Sequence, residues 1–179
     1  LAVKRFDLTS TGRLHVATAS GLLDADFRMP SLDYADLIQC ARELCQSPAR
    51  GQLMYRRAVF NLLVCNQDDH AKNHSFLQND EGRWDLSPAY DLTFSPHPYN
   101  EHSTAFHGHG DRPPVEVLER LGERASYASP EKVRAVIRDI IEVVSTFEQV
   151  ANDLGVSKPI RKEIAKRLDA QCAHYASQI

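Results

Sequence analysis

A helix that is apolar on almost every side has to lie at the centre of the fold that contains it, and residues 49–65 read as such a helix. Its last turns carry Ala58, Val59, Phe60, Leu62, Leu63 and Val64, and so are apolar on most sides. The run is far too short to span a bilayer, so the expectation is a buried element in a protein with no membrane segment. A polar loop comes next along the chain: Asn66-Gln67-Asp68-Asp69-His70-Ala71-Lys72-Asn73. Side chains emerging from the end of the most buried helix stand on a rigid mount, which is where chemistry is best placed.

The rest of the chain arranges itself around that helix. Ser31 is a suitable N-cap for a helix through Cys45 with Leu32, Ala35, Ile38, Ala41 and Cys45 on one face, and Pro48 breaks it. His74–Gln78 and Arg83–Leu86 read as two strands joined by the turn residues Asn79-Asp80-Glu81-Gly82. Ser129-Pro130-Glu131 opens a further helix with Val133, Val136, Ile137, Ile140, Ile141, Val144 and Phe147 on its stripe, and Gly155 ends the unit. Ser157 and Pro159 start a last helix. Upstream, residues 1–7 alternate like a strand and Leu14–Thr18 like its partner. Residues 92–112, with two prolines and four histidines, show no period and read as a long irregular loop. The fold class is therefore mainly α with a small β component. Residues 1–20 form a strand pair and 21–179 a mainly helical body with key loops at 66–73 and 88–95.

At 179 residues the chain can bury one good core. A net charge of -3 gives no global reason to bind nucleic acid. Cys40, Cys45, Cys65 and Cys172 sit in apolar helical patterns with no Cys-x-x-Cys pair, as expected of small core residues in a reducing cytoplasm. His97, His102, His107 and His109 raise the thought of zinc, but their spacing matches no helix or strand face, and a solvated loop is the plainer reading. Trp84 and Tyr90 read as core residues of the hairpin.

The polar loop carries an aspartate, Asp68, five residues before an asparagine, Asn73, and a further aspartate, Asp91, lies beyond the hairpin. Phosphotransfer enzymes of the protein-kinase type use that order of groups: one Asp orients the attacking hydroxyl, while an Asn and a later Asp hold magnesium. Magnesium needs only one or two carboxylates besides phosphate and water, so a sparse Asn-plus-Asp pair suits it. Alone, the spacing could equally be a polar turn capping the helix. The preceding apolar helix, the hairpin and the Asp beyond it give it weight.

The run from Phe60 through Asp68-Asp69-His70-Ala71-Lys72-Asn73 to Leu77, with Leu86-Ser87-Pro88-Ala89-Tyr90-Asp91-Leu92, resembles the signature of the HipA-like serine/threonine kinases. In that family an Asp-x-His-Ala-Lys-Asn loop precedes a Leu-x-Pro-x-Tyr-Asp segment. The resemblance extends over roughly residues 1–175 and implies a kinase C-lobe. It implies that Asp68 is the catalytic aspartate, that Lys72 and His70 lie near the phosphates, and that Asn73 and Asp91 ligate Mg2+. It also implies that Arg5 and Phe6 belong to a hinge strand facing the adenine of ATP. Lys4 departs from the acid expected at that hinge. The family further implies a bacterial toxin–antitoxin role: a cytoplasmic toxin that phosphorylates a protein substrate, partnered by a helix-turn-helix antitoxin, with DNA reached only through that antitoxin.

The sequence starts at Leu1 rather than Met, and its only closely spaced glycine pair, Gly108-x-Gly110, lies in the His-rich loop. The expectation is a portion of a longer protein whose phosphate-covering loop and phosphate-pairing lysine lie elsewhere, and which alone transfers no phosphate. Two rivals remain at this stage: a small-molecule phosphotransferase of the same fold, which the Ala71-Lys72 pair argues against, and a non-catalytic binding module of a split system.

Overall fold

The computed structural model describes residues 4–10, 12–26, 28 and 32–179. Among them, seven α-helices build one core, and five short strands form a three-stranded and a two-stranded sheet. The apolar helix is α3, Pro48–Leu63, and it does sit at the centre: Met54, Tyr55, Ala58, Val59, Leu62 and Leu63 are all buried. It packs against α2 (Tyr34–Leu44), α4 (Val115–Arg124), α5 (Pro130–Ser145) and α7 (Lys158–Ala176). A four-residue α1 (Ala19–Leu22) and a short α6 (Phe147–Asp153) complete the helices.

Pro48 occupies the first turn of α3, where its missing N–H costs nothing, so it both ends the preceding segment and starts the central helix. The cap of α2 differs from expectation. Asp33, not Ser31, is the N-cap, accepting from the Ala35 N–H at 2.8 Å, and Ser31 lies outside the described residues. Ser129 caps α5 through the Lys132 N–H, and Gly155 adopts φ +76 after α6. The expected elements do not include α4, although Val115, Leu118 and Leu121 recur at helical spacing in the sequence and are buried on its inner face.

The hairpin forms with β3 (Ser75–Gln78) and β4 (Trp84–Leu86) antiparallel. Its turn is built by Asn79, whose side-chain oxygen accepts from the N–H groups of Glu81 and Arg83. The third strand, β1 (His15–Thr18), pairs with β3 in the register Val16↔Leu77, not with the segment before it. Residues 4–7 form no strand, and Leu8 and Arg13 make only an isolated bridge; Leu1–Val3 fall outside the described residues. The expected pairing of 1–7 with 14–18 is thus replaced by a tight turn in which Leu14 N–H donates to Asp7 O. β3 offers β1 a longer edge that is anchored in the core by Phe76.

The long loop is not irregular throughout. Thr104–Ala105 (β5) pairs in parallel with Leu32–Asp33 (β2), and Ser95 bridges Asn66. Trp84 packs at the edge of the core, edge-on to His15. No helix among the described residues is long and apolar enough to cross a membrane.

Candidate active site

Val64 and Cys65 leave α3, and Cys65 turns the chain through φ +54. The two aspartates beyond this turn meet opposite fates. The Asp68 side chain is 65% exposed, while that of Asp69 is 0% exposed. Alternating environments at adjacent residues come from an extended backbone on a buried mount: one side chain faces solvent and its neighbour faces the core.

A buried carboxylate is costly unless its lone pairs are filled. Asp69 accepts from Tyr34 Oη at 2.6 Å, His102 Nδ1 at 2.9 Å and the backbone N–H groups of Ser103 and Thr104 at 2.9 and 3.2 Å. A carboxylate only accepts, so His102 must carry its proton on Nδ1. The network continues inward: Asn61 donates to Tyr34 Oη at 2.8 Å and Asn66 donates to Asn61 Oδ1 at 3.1 Å. Ser95 in turn donates to Asn66 Oδ1 at 2.9 Å. Burial and the Asp69 charge push the Tyr34 phenol well above its usual range. His74, fully buried and donating to the Asp69 carbonyl, is pushed down to about 4 by its burial and stays neutral.

Around the exposed face the other candidates gather. Asn73, at the end of the 3-10 turn Ala71–Asn73, donates through Nδ2 to the Asp68 carbonyl at 2.9 Å, a bond that leaves its side-chain oxygen uncommitted. His70 Nε2 lies 4.0 Å from the Asp68 carboxylate. Lys72 is exposed, and its main-chain oxygen accepts from Tyr90 Oη. Tyr90 is therefore not a core residue of the hairpin. Half-buried, it is a strut that ties the segment carrying Asp91 to the Asp68–Asn73 loop. Its neighbours confirm the closure, since Tyr90, Leu92 and Asn73 line one small cavity of about 10 Å3 together with Arg57, Asn61, Asn66 and His74. Asp91 adopts φ +54, is exposed, and makes no hydrogen bond or ion pair to the described residues. The left-handed backbone turns it out of the polypeptide's own hydrogen bonding.

Phe6 stacks on Tyr90 with ring centroids 5.6 Å apart, so the upstream segment meets the loop carrying Asp91 directly. Arg5 makes two bonds to Asp7, which Arg13 also reaches, so the Arg5 guanidinium is engaged within its own segment. Arg5, Phe6, Asp7, Arg13 and Leu14–Val16 line an open groove of about 430 Å3. Volume alone does not select it: clefts of about 750 Å3 along α2 and about 460 Å3 between α4 and α5 contain none of the candidate residues. The histidines do not converge. His102 turns inward to Asp69, whereas His97, His107 and His109 are exposed, and no metal-holding cluster of three His, Cys, Asp or Glu occurs among the described residues.

The residues that sequence reasoning missed are Asp69, Tyr34, Asn61 and His102. One signal was present. Asn61 interrupts the most apolar stretch of α3, and a polar side chain there must find a buried partner.

Comparison with known proteins agrees with this architecture. Residues 1–173 match the family described as the HipA-like C-terminal domain. A protein of Sinorhizobium fredii (strain NBRC 101917 / NGR234) named "Putative kinase Y4dM" is 36% identical over 103 residues, covering 56% of this chain and 25% of that protein. The solved structure of HipA from Shewanella oneidensis MR-1, determined as a toxin–antitoxin complex with HipB and operator DNA, superposes with a TM-score of 0.77 at 18% identity. That superposition covers 97% of this chain and 48% of the HipA chain, so the polypeptide spans about half the length of this structural relative and a quarter of the curated one. By fold and by a family match over almost its full length, the chain belongs to the HipA-like C-terminal domain family.

Proposed function

We propose that this domain is the acceptor- and metal-binding half of an ATP-dependent kinase that phosphorylates Ser or Thr hydroxyls on a protein. One observation carries the reading. On a loop mounted on the central helix, Asp68 is exposed, Asn73 is bonded to the same loop, and the Tyr90 strut brings the Asp91 segment alongside. Asp68 would accept the proton of the acceptor hydroxyl as its oxygen bonds to the γ-phosphorus and ADP departs. Lys72, exposed on the same loop, is suited to steady the transferring phosphoryl as a point charge. Phe6 and the groove beside it are suited to the adenine, with Arg5 closing onto Asp7 at its edge.

The carbonyl oxygen of Asn73 and the carboxylate of Asp91 are hard oxygen donors, and Asp91 has no competing partner among the described residues. This set fits Mg2+, which when bound neutralises charge on the transferring phosphate. The fold likeness to a HipA solved with HipB and operator DNA supports a helix-turn-helix antitoxin as partner, with DNA reached through it. Four free cysteines suit a cytoplasmic location.

The test is incubation of the full-length polypeptide carrying this domain with γ-labelled ATP, magnesium and a protein extract. Label on Ser or Thr that disappears in Asp91→Ala supports the reading. Label on small alcohols alone would replace it with small-molecule phosphotransfer, and no transfer at all would refute it.

A further inference from the structure

The buried half of the acidic pair has a role that its chemistry does not announce. Asp68 itself is exposed, but the residues on both sides of it are fastened to one distant segment. Gln67 receives the Ser103 N–H at 3.1 Å and the Ser103 hydroxyl at 3.0 Å on its main-chain oxygen, and its side-chain oxygen accepts the His97 N–H at 2.6 Å. Asp69 takes His102, Ser103 and Thr104 on its carboxylate, and its main-chain oxygen accepts the Thr104 hydroxyl at 2.5 Å. The peptide that carries Asp68 is therefore held from both ends against residues 97–104, and nearly all of the bonds on the Asp69 side are sealed from water.

We infer that Asp69 is a positioning residue for Asp68: its buried carboxylate locks the loop bearing Asp68 against segment 102–104 and so fixes where the Asp68 carboxylate points. The inference rests on the kinase reading above. Its physical basis is that a reacting group displaced by about 1 Å loses on the order of a hundredfold in rate, while groups that bind the nucleotide elsewhere are untouched. Asparagine at this position is nearly isosteric. It keeps one oxygen for the two backbone N–H groups, but an uncharged and therefore weaker acceptor, and it presents an NH2 to His102 Nδ1 and to a Tyr34 hydroxyl already accepting from Asn61. Two of the four contacts are therefore lost or reversed without opening a cavity.

The experiment measures steady-state phosphotransfer and amide hydrogen exchange on the full-length protein, comparing wild type, Asp69→Asn and Thr104→Val. The valine variant removes only the hydroxyl bond to the Asp69 carbonyl and keeps the shape of a buried side chain. The expected result for Asp69→Asn is a kcat lower by at least about tenfold with the KM for ATP changed less than about twofold. The Ser103 and Thr104 amides should exchange faster while those of α5 do not change, and Thr104→Val should move both readouts the same way, less far. If Asp69→Asn does not fold, Thr104→Val decides. Unchanged kcat in a folded variant whose Ser103 and Thr104 amides exchange faster would reduce Asp69 to a purely structural residue and overturn the inference. Unchanged exchange would overturn it as well. An inactive wild type would instead remove the kinase reading, and the positioning role with it.

Discussion

Two segments flank the Asp68 loop, and they are held by opposite means. The downstream one, residues 95–106, is pinned by buried hydrogen bonds from His102 and Thr104 to Asp69 and by half-buried ones to Gln67 and Asn66. The upstream one, residues 4–10 and 12–14, is mostly exposed apart from Asp7, and is held by the Leu14–Asp7 backbone bond, by ion pairs of the solvent-exposed Arg5 and Arg13 to Asp7 and by one aromatic contact, Phe6 on Tyr90. Buried polar bonds are costly to break and insensitive to salt, whereas exposed ion pairs contribute little and are screened. The site thus has one preorganised wall, on the side of the proposed acceptor chemistry, and one adjustable wall, on the side proposed for the nucleotide.

The largest test of that contrast compares adjacent residues. Asp69→Ala strands the Tyr34 hydroxyl, His102 and two backbone N–H groups in the core, and should cost about 3–5 kcal/mol in urea unfolding. Asp68→Ala should stay within about 0.5 kcal/mol of wild type, because its side chain is in solvent. Comparable losses for the two would break the contrast.

Next in size is a pH effect. Burial pushes His74 from 6.5 to about 4 in the folded state. Between those values the unfolded chain takes up a proton that the folded chain refuses. Stability should therefore fall as pH drops from about 6.5 to about 4 and level off below, a loss of about 3 kcal/mol. Denaturant titrations with EDTA present would read it, and a flat profile across that window would contradict the buried, neutral assignment.

The smallest effect belongs to the upstream wall. Bonding to Arg5 holds Asp7 down to about 2, so its contribution is present above about 3.8 and lost only as pH falls toward 2, outside the His74 window. Asp7→Asn should loosen residues 4–14, seen as faster amide exchange, and high salt should mimic it in the wild type. A salt response at residues 95–106 instead would reverse the assignment of the two walls.

Sequence patterning carried the central helix, the hairpin and the α5 and α7 helices, because each had a period, a cap or a turn chemistry of its own. It also brought Asp68, Asn73 and Asp91 into one constellation through their spacing. It did not find α4, nor the pairing of β1 with β3, since strand partners are chosen by tertiary fit rather than by local alternation. It could not separate Asp68 from Asp69, because the difference between them is a burial set by Tyr34 and His102, which lie more than thirty residues away on either side. The loop at 92–112 looked irregular for the same reason, since its order comes from hydrogen bonds to other segments and leaves no period in its own residues.

The division of labour between the two aspartates is tested most directly by one measurement: phosphotransfer by the full-length protein carrying Asp68→Asn, with its melting temperature recorded on the same sample. The account predicts an unchanged melting temperature and a rate lower by at least about a hundredfold, the range expected on removing a positioned general base. Wild-type turnover by that variant would contradict it.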